Sequence, residues 1–398
     1  MSFEPPIYMD NHATTRVDPR VVEAMLPYFS ERYGNPGSIN HAFGWEAQEA
    51  VDAARETLAL AIGARAKEIV FTSGATESNN LALRGVAERQ RRGGDHIISV
   101  RTEHRAVLDP LARLERAGMR VTLLDVEPAD SPRAGWLDPQ RVAEAIDDRT
   151  LLVSVMLASN EIGVVQQLAE IGRICRERGV GLHSDATQAV GKLPVDVAEL
   201  GVDLMSFSAH KIYGPKGIGA LYVRRGAGGV RLRPQIDGGG QEGGLRSGTL
   251  NVPGIVGFAA ALELCLAEMD EERVRLAALR DRLWRLLAEA LDEVTLNGPA
   301  LDLPGLRLPA NLNVGFGWVD GEALMMSIQH LAVSSGAACS SAQPEPSHVL
   351  RALGRTADEA RASLRFGLGR FNTEAQVERA AALVIEAVER LRKLGSRA

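Results

Sequence analysis

The feature that most constrains the fold is an alternation of short apolar runs with longer helical patterns along the first half of the chain. The runs typical of buried strands cover residues 68–72, 96–100, 121–124, 151–156, 180–183 and 202–207. Short apolar strands separated by helices predict an α/β fold with a mostly parallel sheet covered on both faces. The connection from Phe207 to Leu221 is too short for a helix, so the strand after Lys211 is expected to be antiparallel.

The second half of the chain has a different pattern, which indicates a second domain. One long helical run covers residues 255–290, and sparser strand patterns follow at 295–296, 311–316 and 363–366. We interpret this region as a smaller α+β domain attached through the long helix, with the N-terminal residues packing onto it. The predicted division is a large domain of residues 15–260 and a small domain of residues 1–14 and 261–398.

The composition is ordinary for a globular protein and points away from several kinds of partner. Hydrophobic residues make up 45% of the 398 residues and charged residues 24%, with a formal net charge of −6. No basic run favours nucleic acid, and no apolar stretch approaches a membrane span. Residues 1–6 lack the charged-then-apolar order of a signal peptide. We therefore expect a cytoplasmic protein without nucleic-acid or membrane partners.

The three cysteines differ in their settings. Cys175 and Cys265 lie in helical patterns and are expected to be small buried hydrophobic residues. Cys339 lies in a long connection of small residues that ends in prolines, about 334–346, which predicts a mobile, solvent-facing segment. This setting suits a thiolate that must reach more than one site, and the alternative is a chance surface cysteine. The spacing of the three fits no zinc site, so no metal is predicted.

The stretch Ser208-Ala-His210-Lys211-Ile-Tyr-Gly lies between two predicted strands and carries a candidate nucleophile. A lysine at a strand end can be partly dehydrated, which lowers its pKa and makes its amine reactive toward a carbonyl. The Ser208 hydroxyl and the His210 imidazole on the same turn could hold an anion. Together they suggest a Schiff-base lysine that carries a phosphorylated aldehyde. The alternative is a solvated lysine in a glycine-rich hairpin.

A candidate phosphate site lies in Thr72-Ser-Gly-Ala75-Thr76-Glu-Ser, where a predicted strand runs directly into a helix. Free backbone N–H groups and the positive end of the helix dipole face such a loop. A phosphate would bind the amides of Ala75 and Thr76 together with the Thr76 hydroxyl. The alternative is that Thr76 caps the helix without any ligand.

Polar side chains also follow three other predicted strands, whose carboxyl ends should share one edge of the sheet. Asp185 at a buried strand end needs a cationic partner, such as a protonated pyridine nitrogen, and Gln188 one turn later could reach the ring's phenolic oxygen. The alternative for Asp185 is a helix cap. His104 could stack on a flat ring or be an ordinary partly exposed histidine, and Asn160 supplies an amide at the same edge.

Two arginines are further candidates for anion binding. Arg365 lies on a short predicted strand of the small domain, where its guanidinium could clamp a substrate carboxylate. The loop from Arg246 to Thr249 could reach a phosphate of its own subunit or of a neighbour. Either arginine taken alone is more simply a surface salt-bridge residue.

Taken together, these motifs closely resemble the pyridoxal-phosphate-dependent cysteine desulfurases of iron–sulfur cluster assembly, in the class V aminotransferase family and its subgroup with a long cysteine-bearing loop. The resemblance covers nearly the whole chain and includes Asp10-Asn-His-Ala-Thr-Thr, Thr102-Glu-His, Asn160-Glu-Ile-Gly, Asp185-Ala-Thr-Gln, Ser208-Ala-His-Lys, Arg246-Ser-Gly-Thr, Ser334-Ser-Gly-Ala-Ala-Cys and Ser363-Leu-Arg-Phe. It implies a fold-type I transferase whose large domain holds a mostly parallel seven-stranded sheet. The family pattern His-Glu-Arg-Gly is replaced here by Gln241-Glu-Gly-Gly.

The resemblance also implies roles for individual residues. The implied catalytic residues are Lys211, His104 and Cys339. The implied cofactor-binding residues are Ala75, Thr76, His104, Asn160, Asp185, Gln188, Ser208, His210 and Lys211, with Thr249 contributed by the other subunit of a homodimer. Arg365 and Asn160 would bind L-cysteine, and Cys339 would take its sulfur as a persulfide, leaving alanine. An iron–sulfur scaffold or another acceptor protein would then receive the sulfur.

Two alternatives stay open at this point. A selenocysteine lyase, or another lyase or aminotransferase of the same fold, would keep the cofactor and change the reaction. A non-catalytic sulfur carrier would keep only the fold, although the complete set of Lys211, Asp185 and His104 argues against it. The sequence also leaves open whether Cys339 ligates a nascent cluster.

Overall fold

A computed structural model of the protein describes residues 5–89, 94–226, 229–335 and 345–395. Within these ranges the larger sheet has seven strands in the order β2-β8-β7-β6-β5-β3-β4. These strands are β2 (Ile69–Thr72), β3 (His96–Val100), β4 (Arg120–Leu124), β5 (Thr150–Ser154), β6 (Gly181–Asp185), β7 (Leu204–Ser208) and β8 (Gly219–Val223). Strands β4, β3, β5, β6 and β7 pair in parallel, whereas β8 pairs antiparallel with both β7 and β2. The predicted sheet and its antiparallel strand are confirmed.

Helices cover both faces of this sheet. The helices in the described ranges are α1 (Pro19–Met25), α2 (Pro27–Ser30), α3 (Ala42–Leu60), α4 (Ala75–Arg89), α5 (Arg105–Arg116), α6 (Pro139–Ala145), α7 (Leu168–Arg178), α8 (Val197–Leu200), α9 (Val252–Ala290), α10 (Gly321–Ser327), α11 (His348–Ala352), α12 (Ala357–Arg361) and α13 (Glu374–Gly395). Successive strand residues enter different cores, because side chains alternate between the faces of a sheet. Ile97 and Leu152 belong to one core cluster, and Ile98 and Val153 to the other.

A smaller four-stranded antiparallel sheet has the order β12-β13-β10-β9. Its strands are β9 (Val294–Leu296), β10 (Asn311–Phe316), β12 (Ser334–Ser335) and β13 (Ser363–Gly367). The N-terminal strand β1 (Ile7–Tyr8) pairs with β11 (Leu331–Ala332), and Met9 is buried in the core cluster of this smaller region. The prediction that the N-terminal residues pack onto the second region is confirmed.

Helix α9 connects the two regions. Its first turns bury Ile255, Phe258 and Leu262 in a core of the larger sheet, and its later turns bury Leu276 and Leu283 in the core of the smaller one. Residues of the short helix α11 also contribute to the core of the larger sheet. The domain bounds themselves stay a prediction.

The expectation that no apolar stretch approaches a membrane span was wrong. A window within Val252–Ala290 has a mean hydropathy of 1.6, and the helix is long enough to cross a bilayer. In this fold 56% of that window is buried inside the protein, as expected of a core helix. The length and hydropathy of this helix are therefore weak evidence for a membrane span.

The first two helices are separated by a single residue before a proline. Helix α1 ends at Met25 and α2 begins at Pro27. Proline lacks an N–H donor and its ring crowds the preceding turn, so it begins a new helix more readily than it continues one.

Candidate active site

The carboxyl ends of the large sheet open into one cavity of about 520 Å³, a size typical of small-molecule sites. It is lined by nine of the predicted site residues: Ala75, Thr76, His104, Asn160, Asp185, Gln188, Ser208, His210 and Lys211. They follow β2, β3, β5, β6 and β7, which all end at the same edge of the sheet. The structure thus brings together residues that are far apart in sequence.

The Lys211 amine is held inside this cavity and does not face bulk water. Its Nζ donates to the backbone carbonyl oxygens of His12 at 2.7 Å and Ala13 at 2.6 Å. Burial lowers the pKa of Lys211 to about 8, assisted by the charge of Arg365 and opposed by that of Asp185. A larger share of the amine is therefore unprotonated near neutral pH than for a solvated lysine, which makes it a better nucleophile.

At the predicted phosphate site two backbone segments, at Gly74 and Gly219, lie close together. Helix α4 begins at Ala75, so the first amides of the helix face the cavity. Gly74 has φ of +153°, and a Cβ on Gly219 would lie only 2.6 Å from the Gly74 Cα. Ser208 lines the same end, where its hydroxyl donates to the Ile218 carbonyl at 3.2 Å. The close approach of the Gly74 backbone leaves no room for a side chain at Gly219.

His210 contributes to this end as a neutral hydrogen-bonding group. Its Nδ1 lies 3.1 Å from the Thr14 hydroxyl oxygen. Burial, together with the nearby charge of Lys211, lowers the pKa of His210 to about 4. At neutral pH the imidazole is uncharged and offers one N–H donor to an anion.

A carboxylate, Glu77, also lines the cavity, but both of its oxygens are already bonded. The Ser73 amide donates to Oε2 at 2.7 Å, and the Arg246 Nε donates to Oε1 at 2.9 Å. Burial would raise the pKa of Glu77, yet these bonds outweigh it and lower the pKa. Of the two possibilities for Arg246, phosphate contact or ion pair, the structure has the ion pair.

Asp185 ends strand β6 as a buried carboxylate. Its Oδ2 accepts a hydrogen bond from the Asn79 side chain at 2.7 Å, and its Oδ1 accepts one from the Thr187 amide at 3.0 Å. The second bond closes a turn after β6, and because no helix begins there in the described residues 186–196, the helix cap that the sequence offered as the alternative is not formed. Among the described residues Asp185 has no salt-bridge partner, and a buried carboxylate without one is costly. A cationic ring nitrogen in the cavity would supply that partner.

Gln188 is held in one orientation by its neighbours. Its Oε1 lies 2.7 Å from the Lys192 Nζ and 3.1 Å from the His12 Nδ1, and its Nε2 donates to the His12 carbonyl at 3.0 Å. Because an amide nitrogen has two hydrogens, one donor is left for a ligand oxygen. This arrangement is compatible with the predicted contact to a phenolic oxygen.

His104 caps helix α5 and lines the cavity. Its Nδ1 accepts a hydrogen bond from the Ala106 amide at 3.1 Å, so in the neutral ring the proton is on Nε2. Burial lowers the pKa of His104, which favours this neutral form. The predicted stacking of His104 on a ring, and its acid–base role, stay predictions.

Two other predicted residues, Arg365 and Thr249, do not line the cavity. Arg365 donates through NH2 to Asp10 at 2.8 Å and to the Ser334 hydroxyl at 2.7 Å. Thr249 is exposed on its own subunit, which leaves it available to another copy of the chain. Cys339 lies outside the described residues.

The loop that carries Thr249 is anchored through the buried side chain of Glu242. Arg55 donates to both Glu242 oxygens at 2.7 Å, and the Phe71 amide donates to Oε2 at 2.8 Å. Glu242 has φ of +53°, an unfavourable backbone angle for a residue with a side chain, so these bonds must offset local strain. They fix the loop against strand β2, beside the phosphate end of the cavity.

Sequence reasoning missed several residues around the cavity. Asn79 holds the Asp185 carboxylate, Thr14 reaches His210, and Lys192 reaches Gln188. A signal existed for the last two, since Thr14 lies in the quoted Asp10-Asn-His-Ala-Thr-Thr motif and Lys192 follows Gln188 by one helical turn. Asn79 lies in an ordinary helical pattern, and nothing in its local sequence indicated its partner.

The residues present fit pyridoxal 5'-phosphate. Helix α4 offers its N-terminal amides, Asp185 offers a carboxylate without a salt-bridge partner among the described residues, and Lys211 lines the same cavity. The Thr187 hydroxyl, which also lines the cavity, is buried without a partner among the described residues. Such an unsatisfied polar atom is expected where a polar ligand belongs.

Comparisons with known proteins agree with this geometry. The family model described as aminotransferase class-V matches residues 7–380. A cysteine desulfurase IscS of Anaeromyxobacter dehalogenans (strain 2CP-C) is 58% identical over 389 residues, covering 98% of this chain and 94% of the relative. The cysteine desulfurase IscS of Rickettsia massiliae (strain Mtu5) is 51% identical, covering 98% of this chain and 92% of the relative. A solved structure described as a NifS-like protein has a TM-score of 0.88 at 38% identity, covering 97% of this chain and 100% of that chain.

Proposed function

The chain belongs to the aminotransferase class-V family and is a pyridoxal-phosphate-dependent cysteine desulfurase, and we propose that Lys211 is the residue that binds the cofactor. One observation carries this assignment. The buried Lys211 amine, whose pKa is lowered to about 8, lines one cavity together with a helix N-terminus and the Asp185 carboxylate. Lys192 is half-buried near the cavity, but its amine bonds to Gln188 and it does not line the cavity.

Different residues would contact different parts of the cofactor. The amides of Ala75 and Thr76, with Ser208 and His210, would hold the phosphate, and Thr249 of a second copy would complete that end. The remaining contacts would be Asp185 to the ring nitrogen, Gln188 and Asn160 to the phenolic side, and His104 to the ring face. When bound, pyridoxal phosphate supplies an electron sink that stabilises negative charge on the substrate carbon.

Lys211 also suits proton transfer at its Nζ. Its pKa of about 8 is close enough to neutral pH for the amine both to accept and to return a proton. The carbonyls of His12 and Ala13 provide acceptors for the amine when it is free, so it stays in the cavity. His104 is neutral and can hold a proton on Nε2 for the same chemistry.

We propose Cys339 as the sulfur acceptor. L-cysteine and the Cys339 thiol would give L-alanine and a Cys339 persulfide, with the proton of the thiol passing to the alanine. Support comes from both flanks of this segment, which are anchored beside the site. Ser334 bonds to Asp10 and Arg365, while Ser347 bonds to Glu161. His348 bonds to the Glu103 carbonyl at 2.8 Å.

We further propose a homodimer. Several large apolar side chains between α1 and the start of α3 are exposed, among them Phe29 at 62%, Tyr33 at 63% and Trp45 at 59%. Contiguous apolar surface of this kind marks protein interfaces. The need for an exposed Thr249 to reach a phosphate on another subunit points the same way. Size-exclusion chromatography with light scattering tests this, and a monomer that retains full activity would overturn it.

The acceptor of the sulfur is proposed to be an iron–sulfur scaffold or another acceptor protein, in the cytoplasm. Support comes from the relatives named IscS and from the net charge of −6, which favours neither nucleic acid nor an anionic membrane.

Mass spectrometry of the protein after incubation with L-cysteine tests the function. Added sulfur is expected on Cys339, and the C339A variant should lose it while it keeps the absorbance of the bound cofactor. Persulfide on Cys175 or Cys265 instead, or wild-type alanine production by C339A, would show that the assigned acceptor is wrong. Parallel assays with selenocysteine, and with an amino acid plus a keto acid, separate the desulfurase from other lyases and from aminotransferases.

A further inference from the structure

Arg365, the proposed binder of the substrate carboxylate, already has a carboxylate partner within the chain. It lies on β13 of the small sheet, and its side chain is only 10% exposed. Its NH2 group donates to Asp10 Oδ1 at 2.8 Å and to the Ser334 hydroxyl at 2.7 Å. The Ser334 hydroxyl in turn donates to the same Asp10 oxygen at 2.8 Å. The three side chains therefore form a closed triangle.

The backbone fixes Asp10 in this place. Asp10 forms a parallel bridge to Gly367 on β13, two residues from Arg365. Ser334 is paired with Arg365 in the same sheet, so all three residues are aligned by main-chain contacts. The Asp10–Arg365 contact therefore follows from the fold and does not depend on a chance rotamer.

Part of the Arg365 guanidinium is nevertheless unused. Its Nε is buried and has no hydrogen-bond partner among the described residues. A guanidinium has five N–H donors and can hold two carboxylates at once. An incoming carboxylate can thus bind Arg365 without displacing Asp10, but it meets a cation whose charge is already balanced.

We propose that Asp10 sets the affinity of Arg365 for the substrate carboxylate, as an internal counter-ion with which the incoming carboxylate must share the guanidinium. This inference rests on the proposed function, in which Arg365 binds L-cysteine. In the free enzyme the counter-ion offsets the cost of burying the arginine. In the complex it repels the second carboxylate and keeps binding weaker than a lone arginine would give.

Such a device has a clear purpose in catalysis. Binding energy that is equal in the ground state and the transition state lowers KM without raising kcat. A guanidinium without a counter-ion would hold any amino acid carboxylate tightly, including that of the product alanine. Asp10 therefore favours product release.

The test compares two ligands that both carry the thiol of the substrate, together with either its carboxylate or its amine. Isothermal titration calorimetry of the holoenzyme measures the Kd of 3-mercaptopropionate, which has the carboxylate, and of cysteamine, which lacks it. In the D10N variant the Kd of 3-mercaptopropionate should fall about tenfold, the order expected for one neighbouring charge in a partly hydrated site. The Kd of cysteamine should stay unchanged, and the KM for L-cysteine should fall more than kcat changes.

Matched variants separate charge from packing. The S334A variant removes the two bonds of the triangle that involve Ser334 and keeps the Asp10–Arg365 ion pair, so its Kd for 3-mercaptopropionate should stay within about twofold of wild type. The D10S variant also removes the charge but places a smaller neutral side chain at this position. It should give the same result as D10N, which excludes an effect peculiar to the Asn side chain. Circular dichroism and cofactor absorbance confirm that each variant is folded and loaded.

The outcomes distinguish this inference from the proposed function. If R365A leaves the Kd of 3-mercaptopropionate unchanged, Arg365 does not bind the carboxylate and the proposed role fails. If R365A weakens binding while D10N and D10S bind no more tightly than wild type, only the inference about Asp10 is overturned. Weaker binding in D10N and D10S would overturn it too, because Asp10 would then merely orient the arginine.

Discussion

Replacing Lys192 by methionine should change how the stability of the protein depends on pH. Lys192 is half-buried beside a pocket of only about 40 Å³, and burial, with the charge of Lys211, lowers its pKa from 10.5 to about 7. The K192M variant keeps the length of the side chain and removes the amine. It also removes the donor to Gln188 Oε1, a loss of about 1 kcal/mol that does not depend on pH.

The direction in which the unfolding free energy changes with pH follows from proton binding to Lys192. Below pH 7 both the folded and the unfolded wild type hold the Lys192 proton, so the full cost of burying the cation is present. Between about pH 7 and 10.5 the unfolded chain still holds the proton that the folded one has released, so the unfolding free energy rises with pH. Above about pH 10.5 both states have released the proton, so the cost of burying the Lys192 cation no longer applies. The difference between K192M and wild type should therefore shrink as pH rises.

The magnitude can be worked from the same pKa. A change from 10.5 to about 7 corresponds to roughly 5 kcal/mol at about 1.4 kcal/mol per tenfold change in acidity. Because the residue is only half-buried, solvent screening reduces this, and we expect about 2–3 kcal/mol. Titration of groups remote from Lys192 is common to both proteins and cancels in the difference.

Urea unfolding of both proteins at intervals between pH 6 and 10 measures this difference. The matched control is K67M, at an exposed lysine, for which the difference from wild type should stay flat. A flat difference for K192M as well, or one that grows with pH, would refute the reasoning that the Lys192 amine is buried and poorly solvated.

Four further results are expected. Burial, aided by the charge of Asp185, raises the pKa of Glu103 well above 4.5. The folded protein therefore keeps a proton that the unfolded chain releases, and the unfolding free energy of the wild type falls as pH rises. In urea titrations the E103Q variant should accordingly gain stability relative to wild type between about pH 5 and 8. E103A leaves the Met156 amide unpaired and should cost about 1–3 kcal/mol in the same assay. The G219A variant places a Cβ against Gly74 and should weaken cofactor retention on dialysis, read from absorbance. D185N should lower alanine production by roughly a hundredfold, measured by turnover of L-cysteine, because an amide cannot balance a ring cation.

Most of the large sheet and its cavity could be predicted from the sequence. Strands such as His96–Val100 are short, apolar and bounded by polar loops, so their limits are local properties. Once the strands are taken as parallel, their carboxyl ends share an edge, and the residues that follow them must converge. This is why the sequence alone predicts that Asp185 and Lys211 lie in one site.

What could not be predicted depends on contacts between distant parts of the chain. Asp10 and Arg365 are 355 residues apart in sequence, and nothing in either local sequence indicates the other. The two-residue strands at Leu331–Ala332 and Ser334–Ser335 exist only because β1 and β13 lie beside them. Hydrogen bonds to such remote partners leave no periodic signal in the local sequence.

Mapping the lysine that binds the cofactor aldehyde tests the central claim most directly. Borohydride reduces the bond between an aldehyde and a lysine amine to a stable secondary amine, and peptide mass spectrometry then identifies the modified residue. The account predicts that the label lies on Lys211 and that K211A carries none, while K192M is labelled as wild type is. Label on Lys192, or a wild-type protein in which Lys211 stays unmodified, would contradict it.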